Sequence, residues 1–282
     1  MIFFSSRCLE YSFPGHPESP ERVRRVYEYL NRKGYRFEEA KPCRKEDILL
    51  VHTPAHLKRV KTNSFFDPDT PNMENIYQYA SLSAGAALQA AKQALEGENS
   101  FSLLRPPGHH AGKNYLGGFC YFNNIAIAVT WSLKKGVDKI AIVDFDGHHG
   151  NGSEDIFLGE KRVLYLSLHQ YPAYPGTGEI SKENCLNFPL PPGCKEEQFM
   201  RFFLEGINKV KKFSPSLIAV SAGFDAYKKD PLLNLNLEAE TYLKIGEEIA
   251  SLSKPLFALL EGGYHRDLPL CVENFLKGAG IK

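Results

Sequence analysis

The chain alternates short, uniformly apolar runs with longer stretches in which apolar residues recur at helical spacing. The stretch SPERVRRVYEYLNRKG predicts an amphipathic helix over residues 19–34, with apolar positions at i, i+3, i+4 and i+7 counted from Val23. Ser19 supplies an N-cap, Pro20 suits the first turn, and Gly34 ends the pattern.

The same periodicities predict the other elements. Helices are predicted over residues 74–98, 123–136, 195–213 and 238–253, and strands over residues 101–104, 139–145, 162–169, 216–223 and 255–263. Strands that are apolar throughout and separated by helices are typical of a parallel sheet covered on both faces. The sequence has no internal repeat, low-complexity tract or long linker. It therefore predicts one α/β domain over residues 1–282, an open, mostly parallel sheet with helices on both faces.

Composition limits the binding partners and the cellular compartment that we expect for this chain. With 43% apolar and 24% charged residues, the chain has the make-up of an ordinary globular protein, and 34 Lys and Arg against 33 Asp and Glu leave a formal charge of +1. We therefore expect no direct binding to nucleic acid and no attraction to anionic membranes. The six cysteines form no CxxC pair, and the sequence shows neither a signal segment nor a membrane-spanning run. These features favour free thiols in the cytoplasm.

Polar residues follow five of the predicted strands, where each strand ends. The segments RPPGHHA, DGHHGNG, HQYPAYPGTG and FDAYKKDPL follow the first four, and Tyr264 follows the last. Ligands of open parallel sheets bind just beyond the carboxyl ends of the strands. This convergence predicts a binding or catalytic site at that edge.

The segment DFDGHHGNG predicts part of a metal site. In an extended chain the side chains of Asp146 and His148 leave the same face, with their backbones about 6.5–7 Å apart, so both can reach one cation. Asp144 lies one step further back on that face, and the glycines that follow allow tight turns. A third ligand must come from another strand end, and Asp225 is the acid that we identify there. One histidine and two carboxylates leave an open position for water.

Each of these residues also has a structural interpretation. An acid after a strand often caps a helix, which is the alternative for Asp225. A single histidine is weak support for a site. We interpret His149 as structural because its side chain should point away from that of His148, and we interpret His169 as structural too.

Six motifs in order, RPPGHHA, GGFCYFNN, VDFDGHHGNG, SLHQYPAYPGTG, SAGFDA and LEGGY, resemble those of the zinc-dependent histone deacetylase family. That family includes acetylpolyamine amidohydrolases and acetoin-utilisation proteins. The likeness extends from HPESPERV near residue 16 to Tyr264. It implies an arginase-like fold, which agrees with the parallel sheet predicted above.

By position, the resemblance implies three metal ligands, Asp146, His148 and Asp225, and five residues that take part in catalysis, His109, His110, Asp144, Asn151 and Tyr264. It implies that zinc activates a water, that His110 acts as general base and acid, and that Asp144 steadies His109. It also implies that Tyr264 stabilises the oxyanion, as expected of an active enzyme. Asn151 resembles the class II-like branch and should leave His110 less basic than an aspartate would.

The resemblance further implies residues that contact substrate: Asp69, Gly118, Phe119, Tyr174, Leu232, Gly262 and Gly263. Core packing is the alternative for Phe119 and Tyr174. The implied cofactor is one Zn²⁺, and Fe²⁺ or another divalent ion is compatible with the ligand set. A structural K⁺ held by backbone carbonyls near Asp144, Asp146, His148 and Ser167 is also implied.

These features predict a deacetylase that releases acetate from acetylated protein lysine or a small acylated amine. An acetylpolyamine amidohydrolase is the main alternative, but that group typically has an acidic residue where this chain has the neutral Leu232. A two-metal ureohydrolase would need further acids after the D-x-H pair. A non-catalytic acyl-lysine-binding module is disfavoured by the full set of ligands, histidines and tyrosine. The oligomeric state is left open.

Overall fold

A computed structural model describes all 282 residues. Its centre is one eight-stranded sheet of order β2-β1-β3-β8-β7-β4-β5-β6, in which every neighbouring pair of strands is parallel. The strands are β1 (Ile2–Phe4), β2 (Phe37–Glu39), β3 (Ser100–Ser102), β4 (Ile140–Asp144), β5 (Val163–Gln170), β6 (Cys185–Leu190), β7 (Leu217–Ala222) and β8 (Leu256–Leu260). The predicted parallel α/β architecture is confirmed.

Nine α-helices and one short 3-10 helix (Ser6–Leu9) accompany the sheet. They are α1 (Pro20–Arg32), α2 (Lys45–Ile48), α3 (Pro54–Lys61), α4 (Ile76–Leu95), α5 (Asn124–Lys134), α6 (Asn151–Phe157), α7 (Glu196–Phe213), α8 (Thr241–Ala250) and α9 (Leu268–Gly278). All five predicted helices are present, although Ser19 caps α1 without a side-chain hydrogen bond. No helix combines the length and the apolarity needed to cross a bilayer.

The central strands are covered on both faces. Every residue of β4, β5, β7 and β8 is buried, and since side chains alternate between the faces of a strand, each face must be packed against other elements. Asp144, the last residue of β4, lies opposite Ser167 of β5 and Ser221 of β7. The carboxyl ends of these strands are therefore level, and the loops that follow them meet at one edge.

A buried ion pair joins the N-terminal segment to the loop after β3. The guanidinium of Arg105 donates to both carboxylate oxygens of Glu18 at 2.6 Å, and to the carbonyls of Cys8 and Tyr11 at 2.8 and 2.7 Å. Both charged residues are almost fully buried. Burial alone would raise the pKa of Glu18, but the charge of Arg105 outweighs it and lowers this pKa below its ordinary value of 4.5. The pair fixes the start of the segment that contains the tandem histidines.

We expect Glu18→Gln to reduce the free energy of unfolding by about 3–5 kcal/mol, since it leaves a buried guanidinium without its counter-charge. Urea unfolding followed by circular dichroism measures this. The pKa of Glu18 is lower in the folded than in the unfolded state, so its stabilisation is present above about pH 4.5 and is lost as the pH falls below it. The variant should therefore lose stability less steeply on acidification than the wild type.

Glu21→Gln is the matched control, because Glu21 pairs with Arg24 at an exposed position of α1, three residues after Glu18. Exposed pairs contribute about 0.2–1 kcal/mol, so this variant should remain close to wild type. Equal effects of the two substitutions would show that the buried pair is not a special anchor.

Candidate active site

Three predicted metal ligands converge beyond the ends of β4 and β7. His148 Nδ1 lies 2.7 Å from Asp225 Oδ2 and 3.2 Å from Asp146 Oδ1, and one ligand atom from each residue lies within 4.8 Å of the other two. The strand stops at Asp144, earlier than the sequence predicts, and the following turn brings Asp146 and His148 together. Two carboxylates and one imidazole form a donor set that fits a divalent cation.

Backbone amides hold the outer oxygens of both carboxylates. The N–H of Gly147 donates to Asp225 Oδ1, and the N–H of Gly262 donates to Asp146 Oδ2, each at 2.7 Å. Asp225 caps no helix, since the next helix begins at Thr241. A Cβ on Gly262 would lie 2.5 Å from Asp225 Oδ2 and 2.6 Å from Asp146 Oδ2, so only glycine fits against this pair.

The tandem histidines lie beside these ligands, each with its own partner. His109 Nδ1 is 3.1 Å from Asp144 Oδ2, which also accepts from the hydroxyl of Tyr165 at 2.9 Å. His110 Nδ1 is 2.8 Å from Asn151 Oδ1. Because an amide oxygen only accepts, His110 carries its hydrogen on Nδ1 and leaves the lone pair of Nε2 free.

Burial and neighbouring charges shift the pKa values of the two histidines in opposite directions. Burial lowers the pKa of His109, but the carboxylates of Asp146 and Asp144 outweigh it and raise this pKa above its ordinary value. Burial lowers the pKa of His110 well below its ordinary value, and the charges of His109 and His148 lower it further. His110 is therefore neutral near pH 7.

A cavity of about 210 Å³ leads to this cluster. Its wall contains Asp69, Pro107, His109, His110, Gly118, Phe119, Asp146, His148, Tyr174, Leu232, Gly262 and Tyr264. Six of the seven predicted substrate contacts are thus together. The seventh, Gly263, does not line the cavity. Its carbonyl oxygen instead accepts a hydrogen bond from Arg22 Nε at 2.6 Å. Asp144 and Asn151 lie behind the two histidines.

Packing on both sides of its ring holds Tyr264. The Arg22 guanidinium carbon lies 4.4 Å from the ring centroid, and the ring of Phe119 meets it edge-on at 5.7 Å. Burial raises the pKa of Tyr264 well above its ordinary value, so the hydroxyl stays protonated and can donate a hydrogen bond. Tyr174 is 43% exposed at the cavity wall, and core packing therefore does not explain its position.

Two buried acids that sequence analysis missed connect the parts of the site. Glu261 accepts from the N–H groups of Gly108 and His109 at 2.7 and 3.3 Å, and burial raises its pKa to about 7. Asp230 accepts from the N–H groups of Leu232 and Tyr264 at 2.9 and 2.7 Å. Glu261 directly follows β8, so the criterion that selects Asp225 also selects Glu261. Asp230, inside a loop, carried no comparable signal.

Known proteins share this architecture. Residues 16–279 match the family model described as a histone deacetylase domain. The chain is 40% identical to a probable deacetylase of Archaeoglobus fulgidus, over 94% of this chain and 80% of that protein. It is 38% identical to acetylpolyamine amidohydrolase 1 of Pseudomonas aeruginosa, over 71% of this chain and 61% of that protein.

Among solved structures, the crystal structure of the HDA15 HD domain superimposes with a TM-score of 0.93 at 32% identity, over 98% of this chain and 89% of that one. The matched family model covers the loops that contain the tandem histidines, the D-x-H turn, Asp225 and Tyr264. With this agreement of sequence and fold, the chain belongs to the histone deacetylase family.

Proposed function

We propose that residues 1–282 form a single catalytic domain that hydrolyses N-acetylated lysine side chains of proteins, or related acylated amines. The observation that carries the proposal is that Asp146 and His148 line one cavity together with a neutral buried His110 and a protonated Tyr264, and that Asp225 completes their two-carboxylate, one-histidine donor set from behind the wall. The amide C–N bond breaks, the hydroxyl of water joins the acyl carbon, and the products are acetate and a free amine.

Asp146, His148 and Asp225 would hold the metal, which we propose to be Zn²⁺, although Fe²⁺ or another divalent ion suits the same donors. A bound divalent cation would polarise the acyl carbonyl and lower the pKa of a water. Gly262 lets both carboxylates approach one point. We also propose a structural K⁺ at the backbone carbonyls of Asp144, Asp146, His148 and Ser167, carried over from the family resemblance alone.

His110 Nε2 takes a proton from the attacking water and later gives one to the leaving amine. Asn151 fixes the ring by its Nδ1 without adding negative charge, so proton release to the amine stays favourable. His109, paired with Asp144, places positive charge beside the reacting carbonyl. Tyr264 donates its hydroxyl hydrogen to the oxyanion, and this bond strengthens as charge develops on the oxygen.

The cavity wall supports an acyl-lysine substrate. The rings of Phe119 and Tyr174 suit an aliphatic stem, and Asp69 at the exposed rim suits a substrate backbone N–H. Leu232 is neutral and 39% exposed at the same cavity, which offers no charge to a polycation. We therefore favour acetyl-lysine over acetylpolyamines as substrate. Because one relative is named an acetylpolyamine amidohydrolase, both substrate classes are compared in an experiment below.

We also propose that the protein works in the cytoplasm and binds neither membranes nor nucleic acid directly. All six cysteines are free, as expected in a reducing compartment. The formal charge of +1 supplies no general attraction to polyanions.

Asp225→Ala should abolish metal binding and activity, because one of three donors is lost and a cation would keep only Asp146 and His148. Metal content by plasma mass spectrometry and hydrolysis of an acetyl-lysine peptide measure this on the same sample. Asp138→Ala, at an exposed position, is the control and should keep both. Stoichiometric metal and normal turnover in Asp225→Ala would contradict the ligand assignment.

Tyr264→Phe should lower kcat by roughly 10²- to 10³-fold, with KM and metal content little changed, because it removes one oxyanion donor and keeps the ring that packs against Arg22 and Phe119. Steady-state kinetics measures the change. Tyr29→Phe removes a hydroxyl that donates to Glu273, away from the cavity wall, and should behave as wild type. A near-wild-type kcat for Tyr264→Phe would remove this residue from the mechanism and support an acyl-lysine-binding role instead.

We expect the wild type to cleave an acetyl-lysine peptide with a higher kcat/KM than N8-acetylspermidine, and Leu232→Glu to narrow or reverse that ratio by attracting the polycation. Leu270→Glu is the matched control, because Leu270 is 40% exposed on α9 and absent from the cavity wall. A wild-type preference for the polyamine by about tenfold, equivalent to about 1.4 kcal/mol, would overturn the assignment of substrate class.

A further inference from the structure

The loop over residues 171–180 contributes Tyr174 to the cavity wall. The ring of Tyr174 meets the ring of His110 edge-on, with the centroids 5.1 Å apart, and that of His148 at 6.4 Å. The loop has no regular secondary structure, and Tyr174 is 43% exposed. Something outside the loop must therefore fix this ring beside the general base.

Only two hydrogen bonds join residues 173–179 of this loop to the rest of the protein. Thr177 Oγ1 lies 2.8 Å from His149 Nδ1, and the carbonyl oxygen of Gly178 lies 3.0 Å from His169 Nε2. The other hydrogen bonds of this stretch join Gly176 to Ala173 and Tyr171 to Glu179, inside the loop itself. Both histidines are buried, and neither lines the cavity.

The two histidines are themselves firmly held. Their rings pack with centroids 4.6 Å apart. His149 Nε2 lies 3.2 Å from Glu154 Oε2 without making a hydrogen bond, and that oxygen accepts from Asn187 Nδ2 at 2.6 Å. His169 Nδ1 lies 2.8 Å from Ser167 Oγ. The pair is a rigid platform for the loop.

The loop backbone approaches this platform without a side chain between them. Gly178 has φ of +86°, and a Cβ at this position would overlap both imidazole rings more closely than real Cβ contacts allow. Gly176, two residues earlier, has φ of +82°, but a Cβ there would meet nothing within 4 Å. The two glycines share the backbone conformation, and only Gly178 needs the missing side chain for contact with the histidines.

We propose that His149 and His169 form a loop clamp that positions Tyr174 against the substrate stem, and that they are positioning residues for substrate binding. The inference rests on the proposed function and adds to it a determinant of substrate affinity outside the cavity. Without the clamp the loop samples other conformations, and ordering it again on binding costs conformational entropy. The metal ligands, His110 and Tyr264 keep their own contacts, so KM should change while kcat should not.

Thr177→Val removes the hydroxyl at nearly constant shape from an exposed residue, so folding should be preserved. Loss of one hydrogen bond of ordinary strength predicts a KM for an acetyl-lysine peptide about three- to tenfold higher, with kcat within about twofold and metal content unchanged. Thr177→Ser keeps the hydroxyl and should behave as wild type. In a Tyr174→Ala background, Thr177→Val should have no further effect, because the clamp acts through that ring.

Gly178→Ala and Gly176→Ala introduce the same strain at positive φ, so their difference isolates the contact with the histidines. Gly178→Ala should raise KM several-fold more than Gly176→Ala. An unchanged KM in Thr177→Val, equal effects of the two glycine variants, or full additivity with Tyr174→Ala would each overturn the clamp.

Hydrogen exchange of residues 171–180 tests the clamp without turnover. Thr177→Val should speed exchange in this segment and Thr177→Ser should not. If the wild type hydrolyses no acetyl-lysine peptide but the exchange result holds, the proposed function fails and the clamp on Tyr174 stands. If hydrolysis is normal and exchange in Thr177→Val is unchanged, the clamp fails alone.

Discussion

Two buried carboxylates held against one imidazole are the constraint on which the rest of the site depends. Asp146 and Asp225 are almost completely removed from solvent, and negative charges this close repel strongly in a medium of low polarity. Amide N–H groups from Gly147 and Gly262 each donate to one oxygen of these carboxylates, and a divalent cation held by the same residues would offset their negative charge. The level ends of β4 and β7 bring the two loops together, so the parallel sheet is the scaffold for this arrangement.

The two adjacent histidines at this edge of the sheet have different electrostatic surroundings, which suits amide hydrolysis. Asp144 and Asp146 favour the protonated form of His109, whereas Asn151 beside His110 supplies a hydrogen bond without charge. Two histidines that are adjacent in sequence, with ring centroids 4.0 Å apart, therefore differ in protonation. A pair of equal neighbours could not offer both an electrostatic stabiliser and a free base at one pH.

The pattern of apolar and polar residues along the sequence predicts those strands and site residues that depend only on their neighbours in the chain. The apolar runs that form β4, β5, β7 and β8 are long enough to recognise. The prediction that Asp146 and His148 lie together assumed an extended chain, whereas a turn after β4 brings them together. The sequence did not predict β1, β2 and β6. Strands β1 and β2 have only three residues each, and β6 includes Pro189, which is unusual inside a strand. The roles of Asp230 and Arg22 depend on contacts across 34 and 241 residues, which no window along the sequence contains. The metal-ligand role predicted for Asp225 rests on its position after a strand and on the family resemblance, and the oxyanion role predicted for Tyr264 rests on the resemblance.

The contact of Arg22 with the loop before Tyr264 has a consequence for the order of synthesis. Arg22 donates to the carbonyls of Glu261 and Gly263 at 2.6 Å. These hydrogen bonds join α1 to the loop after β8. Domains generally fold as units during synthesis, so this contact forms only after both segments have been made. A nascent chain that stops before residue 261 already contains the three proposed metal ligands, but it lacks the Gly262 amide and the tyrosine that Arg22 supports. The part of the proposed site that the Gly262 amide and Tyr264 supply is therefore complete only after residue 264 has been synthesised and has packed against Arg22.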